Sequence, residues 1–231
     1  MLFSPALLAK DAGFFDKLLD ILLELVPGMI TTVEIFFLTL ALSLPLGIIV
    51  ALGRMSKFAP LAWFVKIYIA IMRGTPLMLQ LLVVYYGPYY LFEIPLSQSY
   101  RFTAVILGFV LNYAAYFAEI YRSGIQSTPL GQYEAATVLG FTKSQTFRLI
   151  VLPQVIKKVL PPITNETITL VKDTSLAYSI VVIEMFTKAK QIAAASTSMM
   201  PYFAAGLFYF IFNYLVAFVM EKLEKRLDYY R

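Results

Sequence analysis

The sequence predicts an all-α integral membrane protein, because apolar residues dominate it and are grouped in long stretches. Of its 231 residues, 60% are hydrophobic and 14% are charged, whereas a soluble domain carries about 25% charged residues. A helix needs about 20 apolar residues to cross the hydrocarbon core of a bilayer, and five stretches reach that length. These predicted spans are residues 28–53, 60–92, 101–124, 153–190 and 201–222.

Residues 1–27 differ from the five spans because charges interrupt them. Apolar residues recur there at helical spacing, and acidic residues, among them Asp16, Asp20 and Glu24, fall mostly on the other side. That pattern predicts an amphipathic helix lying at the membrane interface. We therefore divide the chain into an N-terminal interfacial segment, residues 1–27, and a transmembrane domain, residues 28–231.

Two predicted spans, residues 60–92 and 153–190, are longer than one crossing requires. Both contain proline, at Pro76 and Pro88 in one and at Pro161 and Pro162 in the other. Proline removes a helical hydrogen bond, which is tolerated in a bilayer only where neighbouring groups satisfy the freed carbonyl. We therefore expect both stretches to be tilted, broken or partly re-entrant helices.

Basic residues on short loops predict the orientation, since they accumulate on the cytoplasmic side. With five spans, three basic groups fall on one side. They are Arg54 and Lys57, then Lys143, Arg148, Lys157 and Lys158, and finally Lys222, Lys225, Arg226 and Arg231. Lys188 and Lys190 fall on the opposite side and argue weakly against this orientation. The prediction is an N-terminus outside the cell and a C-terminus in the cytoplasm.

The chain has no cysteine and no histidine, which narrows the chemistry it can perform. Disulfides and thiolate nucleophiles are excluded, and the commonest general base and usual zinc ligand is missing. The G-x-x-x-x-G-K-[ST] phosphate-binding loop is also absent. We predict no catalytic residue, metal site or cofactor in this chain. Its net charge of +5 is explained by cytoplasmic loops and does not indicate nucleic-acid binding.

The loop at residues 125–152 is too polar to span a membrane and too apolar to be fully solvated. Pro129 favours the start of a short helix, and Gly140 interrupts the pattern so that a second short helix can follow. Ala135 and Ala136 keep one face of the first helix narrow. Two short helices at an angle on the cytoplasmic face would form a knob that docks into a groove of a partner.

Within this loop, E-A-A begins at Glu134, a glycine follows at Gly140, and I-V-L-P begins at Ile150. The pattern resembles the EAA loop of ABC importer permeases at every anchor. The resemblance implies the fold of a type I ABC importer transmembrane domain. It also implies that Glu134, Ala135, Ala136 and Gly140 form a coupling helix that sits in a cleft of an ATP-binding subunit.

Three further blocks resemble the polar amino-acid permeases, the histidine/glutamine/arginine group. They are R-G-T-P-L from Arg73, N-Y-A-A-Y from Asn112 and K-D-T-S-L from Lys172. The resemblance covers nearly the whole chain from about residue 14. It implies the multi-pass permease subunit of an importer in the bacterial cell (inner) membrane, which takes up polar amino acids and is not itself an enzyme.

The same resemblance implies several partners. ATP-binding subunits in the cytoplasm would bind ATP and Mg²⁺ and hydrolyse the nucleotide. A second permease copy or a homologous permease would complete the pathway in the membrane lipid, since five helices do not easily enclose one. A solute-binding protein outside the membrane or in the periplasm would deliver the amino-acid substrate.

Arg73 is the first candidate for the substrate site. It lies thirteen residues after Pro60, about 20 Å from the cytoplasmic end and near the middle of the membrane. Gly74 and Pro76 can interrupt the helix beside it, and a broken helix near the midplane is the best sequence indication of a transporter site. Arg73, with Thr75 and nearby backbone, would hold the substrate α-carboxylate. The alternative is an arginine that pairs with an acidic neighbour to brace the bundle.

A zwitterionic substrate also needs an acid for its ammonium group. Glu184 is the first candidate and Asp173 the second. In the alternative, Asp173 pairs with Lys172, and Glu184 lies at the outer interface. An amide such as Gln80 or Asn112 would suit glutamine or glutamate, although Asn112 also fits plain helix packing. Because more than one acid lies near the proposed pathway, we favour basic substrates.

Two other classes of function remain open from the sequence. A channel for ions or solutes needs no ATP-binding partner, so the docking loop argues against it, and co-purification with such a partner would discriminate. An intramembrane enzyme would place its catalytic carboxylates at one depth, whereas Glu119, Asp173 and Glu184 are spread across the predicted spans.

Overall fold

The structure of the chain is a computed structural model that describes residues 13–227. Every regular element in that range is helical, which confirms the predicted all-α class. The elements are α1 (Phe14–Arg54), α2 (Ala59–Gly74), α3 (Leu77–Phe92), α4 (Gln98–Gln126), α5 (Leu130–Val138), α6 (Lys143–Gln145), a π-helical turn (Thr146–Val151), α7 (Leu152–Asp173), a 3-10 helix (Thr174–Ile180), α8 (Met185–Ser196) and α9 (Met200–Leu227).

Three helices between residues 13 and 227 are long and apolar enough to cross a membrane, namely α1, α4 and α9. The pair α2 and α3 adds a fourth crossing if it counts as one span, and its halves meet at 112°. The break predicted for the second span is therefore present. Helix α7 has 22 residues, about 33 Å, and it is amphipathic, so protein or an aqueous path must cover its polar face.

The predicted span at residues 153–190 is also broken, but not at its prolines. Pro161 and Pro162 lie inside α7, and the chain changes direction after the 3-10 helix, where Val181 has a φ of 60°. A β-branched residue seldom adopts this left-handed conformation. The Val181 carbonyl accepts a hydrogen bond from Arg101 Nη1 at 3.3 Å, which ties this turn to α4.

Helix α1 crosses the predicted boundary between the interfacial segment and the transmembrane domain. Its 41 residues run through Pro27 without interruption and extend about 60 Å, twice the thickness of a hydrocarbon core. Its first half packs on α8, where Lys188 Nζ pairs with Glu24 Oε1 at 3.3 Å. Residues 1–12 lie outside the described residues, and an interfacial position for the rest of the segment stays a prediction.

Helix α4 lies at the centre of the fold. Its spanning window is 61% buried, against 33% for α1 and 11% for α9. Close approach to α1 depends on a glycine, because a Cβ on Gly47 would lie 2.8 Å from Cβ of Phe117, well inside normal carbon–carbon contact. Because α4 is central, side chains of the neighbouring helices pack against it.

Candidate functional site

The break between α2 and α3 frees backbone carbonyls that two side-chain amides satisfy. Gln80 Nε2 donates to Met72 O at 2.9 Å and to O and Oγ1 of Thr75 at 3.1 and 2.8 Å. Asn112 Nδ2, on α4, donates to Met72 O at 3.0 Å and to Gln80 Oε1 at 2.9 Å. The last carbonyls of a helix lack intrahelical partners, and leaving them unsatisfied in a membrane is costly. The two amides therefore stabilise the bend.

Four of the predicted substrate residues thus meet at this break, in two different settings. Gln80 and Asn112 are buried, with 9% and 4% exposure, and their amides bond to protein. Arg73 and Thr75 are exposed, and Thr75 Oγ1 donates to Ile71 O at 2.8 Å. The geometry makes the two amides supports of the broken helix and leaves the Arg73 guanidinium on its open side.

Arg73 is linked to α7 through two tyrosines of α4. Its guanidinium carbon lies 5.2 Å from the ring centre of Tyr116, a cation–π contact. The rings of Tyr116 and Tyr113 have centres 6.3 Å apart, and Tyr113 OH donates to Asp173 Oδ2 at 2.8 Å. The structure thus connects the predicted carboxylate ligand with one of the two predicted ammonium ligands.

Glu166 is a charged residue of this region that the sequence reasoning missed. Its partly buried carboxylate interacts electrostatically with both Arg73 and Asp173. Glu166 and Asp173 stand seven residues apart on α7, and that spacing, which puts two residues on one face of a helix, was the signal available in the sequence. Arg73, Glu166 and Asp173 are called the charged cluster below.

Glu184 has a different position from the charged cluster. It is fully buried and caps the N-terminus of α8, where its oxygens accept from Phe186 N at 2.6 Å and Thr187 N at 2.8 Å. It also accepts from Thr187 Oγ1 at 2.8 Å and from Tyr209 OH of α9 at 3.0 Å. Within residues 13–227, these hydrogen bonds all lead to α8 and α9, so the structure does not join Glu184 to Arg73 or Asp173.

The predicted coupling residues lie on α5 and directly after it. Gly140 has a φ of +81°, a conformation that residues with a Cβ rarely adopt, and α6 follows with a capping box. The predicted order of helix, glycine and second helix is confirmed. Glu134 and Ala135 are exposed, whereas Ala136 is buried at 1%. Ala136 therefore packs inside this chain, and the exposed face of α5 is narrower than the sequence suggested.

Large apolar side chains at the ends of α5 are exposed. Leu130, Val138 and Leu139 have 77%, 87% and 73% of their surfaces accessible. Exposed apolar residues next to polar ones mark surfaces that protein partners cover. No group of three or more His, Cys, Asp or Glu residues that could hold a metal ion occurs within the described part of the chain.

A family comparison decides what class of protein carries these features. Residues 43–229 match the model of the family described as binding-protein-dependent transport system inner membrane component. The chain belongs to this family. As a member of the binding-protein-dependent transport family, it is a multi-pass permease subunit of a cell membrane and not an enzyme, which confirms the resemblance found in the EAA loop.

Relatives of this transport family match along most of the chain. The L-cystine transport system permease protein TcyB of Bacillus subtilis (strain 168) is 38% identical over 205 residues, 88% of this chain and 86% of the relative. The arginine transport system permease protein ArtQ of the same species is 35% identical over 201 residues, 87% and 90% of the two chains. The nopaline transport system permease protein NocM of Agrobacterium fabrum is 37% identical, covering 84% and 83%.

Solved structures of ABC transporters share the fold. The structure of an amino acid ABC transporter with histidines matches with a TM-score of 0.84 at 30% identity, covering 93% of this chain and 99% of that one. The inward-facing MetNI methionine ABC transporter matches with a TM-score of 0.65 at 18% identity, which shows a common fold alone. The predicted type I importer fold is confirmed, and the family implies ATP-binding, solute-binding and permease partners.

Proposed function

We propose that this chain is the transmembrane subunit of an ABC importer for polar amino acids, with basic amino acids favoured. The charged cluster carries the proposal, because Arg73 and Asp173 contact the ring pair of Tyr116 and Tyr113, and Glu166 interacts electrostatically with both. An amino acid presents both a carboxylate and an ammonium group, so a site for it needs both signs of charge. The names of the relatives, which specify L-cystine, arginine and nopaline, support the same substrate class.

Arg73 is the proposed ligand of the substrate α-carboxylate. A guanidinium offers two parallel N–H donors that match a carboxylate, and Arg73 presents them on the exposed side of the α2–α3 break. A cation at this depth is costly unless it serves binding or pairing. The exposed Thr75 lies beside it. Its hydroxyl already donates to Ile71 O, so a contact with the substrate carboxylate would require the hydroxyl to turn away from that carbonyl.

Glu166 and Asp173 are the proposed ligands of the substrate ammonium groups. Lys172 is exposed and offsets Asp173 electrostatically, whereas Glu166 interacts electrostatically with Arg73. Once Arg73 binds the substrate carboxylate, Glu166 is the acid left without its cation, and it would favour a substrate with a second cationic group. The preference for basic amino acids therefore rests on Glu166.

The other predicted substrate residues fit supporting roles better than direct contact. Gln80 and Asn112 hold the broken helix, and Glu184 holds the start of α8. Freeing any of them to bind a substrate would leave buried backbone or hydroxyl groups without partners, which costs more than a typical hydrogen bond contributes. Direct contact between these three residues and substrate stays a prediction.

The proposed coupling element is the loop at residues 125–152, with Glu134, Ala135, Ala136 and Gly140 as its core. Helix α5 would dock in a cytoplasmic subunit that binds ATP and Mg²⁺, through its exposed polar residues and apolar ends. The N-terminus would lie outside the cell and the C-terminus in the cytoplasm. A second copy of this chain or a homologous permease would close the open side of the charged cluster, and a solute-binding protein would deliver the amino acid.

The test is ATP hydrolysis by the chain reconstituted in lipid with its ATP-binding partner and solute-binding protein, in the presence of L-arginine, L-histidine, L-cystine or L-glutamine. We expect stimulation by a few of these, strongest for basic ones, and its loss in Arg73→Ala. Glu166→Gln should shift the preference from basic to neutral amino acids. A stable complex that none of them stimulates would refute the amino-acid assignment. Failure of the chain to associate with any ATP-binding subunit would refute the importer.

A further inference from the structure

Helix α5 is joined to α7 by a reciprocal pair of side-chain amides. Gln132 Nε2 donates to Gln154 Oε1 at 3.1 Å, and Gln154 Nε2 donates to Gln132 Oε1 at 2.7 Å. Both side chains are partly buried. Two antiparallel hydrogen bonds between planar groups hold one orientation, whereas an apolar contact can slide. This pair is called the amide clamp.

Gln154 makes a third contact that ties the amide clamp to the π-helical turn. Its Nε2 also donates to Ile150 O at 2.8 Å. A π-helical turn widens the backbone hydrogen-bond spacing, and such turns recur at functional sites. Tyr133 of α5 packs against an apolar cluster of Val151 in the π turn and Val155 and Val159 in α7. Helix α5, the π turn and the first turn of α7 therefore form one connected body.

A second polar link lies beside the amide clamp. Lys158 Nζ, one turn further along α7, donates to both O and Oγ of Ser127 at 3.1 Å. Ser127 is the C-cap of α4 and lies three residues before the start of α5 at Leu130. The entry to α5 and its first turn are thus bonded to the same part of α7.

From these contacts we infer that Gln132 and Gln154 are positioning residues that transmit movement of the coupling helix into α7. The second half of α7 carries Glu166 and Asp173, about 18 Å and about 28 Å from Gln154 at the helical rise. Pro161 and Pro162 weaken the backbone hydrogen bonding of α7. Just beyond them, Thr164 Oγ1 donates to Glu224 of α9, which braces α7 at this point. A displacement of α5 by the ATP-binding subunit would then reach the charged cluster through one helix.

This inference rests on the proposed function, and the experiment separates the two. Complexes carrying Gln132→Ala, Gln154→Ala or both are compared with wild type for assembly, basal ATP hydrolysis, stimulation by L-arginine with its binding protein, and transport per ATP. We expect assembly and basal hydrolysis to persist, and stimulation and transport per ATP to fall about fivefold to tenfold, on the order of one to two net hydrogen bonds. The double variant should be no worse than either single one.

Two further variants distinguish transmission from general stability. Gln132→Glu combined with Gln154→Lys replaces the amide pair by an ion pair and should restore most of the coupling. Gln98→Ala, at an exposed glutamine at the other end of α4, is the matched control and should leave transport per ATP unchanged. A loss of stimulation in proportion to lost assembly, without rescue by the ion pair, would overturn the inference.

A cross-linking test decides the matter even if the alanine variants assemble poorly. Because the chain has no native cysteine, Gln132→Cys with Gln154→Cys can be joined selectively by a short bifunctional thiol reagent, with a cysteine-free partner. If α5 and α7 move together, the cross-linked complex keeps its stimulation by L-arginine. Abolished stimulation would show that the two helices move against each other and would overturn the inference. A wild-type complex that no amino acid stimulates would instead refute the proposed function, and the clamp with it.

Discussion

Substitution of Gly124 by alanine tests how closely α4 and α7 pack. A Cβ at this position would lie 2.3 Å from Cγ1 of Val159 and 3.4 Å from Cγ1 of Val155. Carbon atoms in contact prefer about 3.5–4.0 Å, so the first contact is more than about 1 Å too short. Valine is stiff about χ1 in a helix and cannot rotate away, so the two helices must separate.

The expected cost follows from this overlap and from a matched control. Overpacking of a well-packed core costs about 1–3 kcal/mol, whereas glycine-to-alanine in a helix by itself stabilises by up to about 1 kcal/mol. Gly206 of α9 has nothing within 4 Å of its Cβ position, so Gly206→Ala should change stability through helix propensity alone. The difference in unfolding free energy between Gly124→Ala and Gly206→Ala therefore gives the cost of the overlap with Val159.

Thermal unfolding of the purified complex in lipid nanodiscs measures this difference. A cost of 1–3 kcal/mol corresponds to a midpoint difference of roughly 2–12 °C for a chain of this length. Gly124 lies in the last turn of α4, immediately before the proposed coupling loop, so Gly124→Ala should also reduce amino-acid-stimulated ATP hydrolysis. Equal midpoints for Gly124→Ala and Gly206→Ala would refute the close α4–α7 packing at this position.

Three further predictions follow from single side chains. Arg73→Lys keeps the charge but loses the planar pair of donors, so the L-arginine concentration for half-maximal stimulation should rise about tenfold; an unchanged value would mean that Arg73 does not hold the carboxylate. Glu184→Ala removes the cap of α8 and the partner of Tyr209, so the free energy of unfolding should fall by about 1–3 kcal/mol. The apparent substrate affinity should not change, and weakened affinity in a stable protein would restore Glu184 as a ligand. Val181→Gly should relieve backbone strain of about 1–3 kcal/mol from the left-handed conformation, reduced by the conformational entropy cost of glycine, and so raise the unfolding midpoint. Val182→Gly is the control: it removes a buried side chain and should lower the midpoint.

The helical structure of the loop at residues 125–152 was predictable because it is local. Gly140 is needed for a left-handed residue, and the capping box after it lies within a few residues. Helix caps depend on side chains next to the helix end, so the sequence is sufficient to place them. The same holds for the break beside Arg73, where Gly74 and Pro76 stand in the chain itself.

The extents of α1 and α7 were less predictable, because tertiary contacts override local signals. Charges before Pro27 and the prolines of α7 suggested interruptions, yet both helices continue through them. Packing against neighbouring helices supplies the stability that a proline removes. The interruption after α7 occurs instead at Val181, where no glycine or proline stands in the sequence. The Val181 carbonyl accepts a hydrogen bond from Arg101.

The sequence by itself determined that this chain is a membrane permease, since bulk apolarity and the order of motifs are properties of the chain. Only the tertiary structure decided which side chains share a site. It brought Glu166 into electrostatic range of Arg73, more than ninety residues away in the chain, and it bonded Gln80 and Asn112 to the carbonyls of a broken helix. Contacts of such range depend on how helices pack, and hydrophobic periodicity contains no information about which helix faces which.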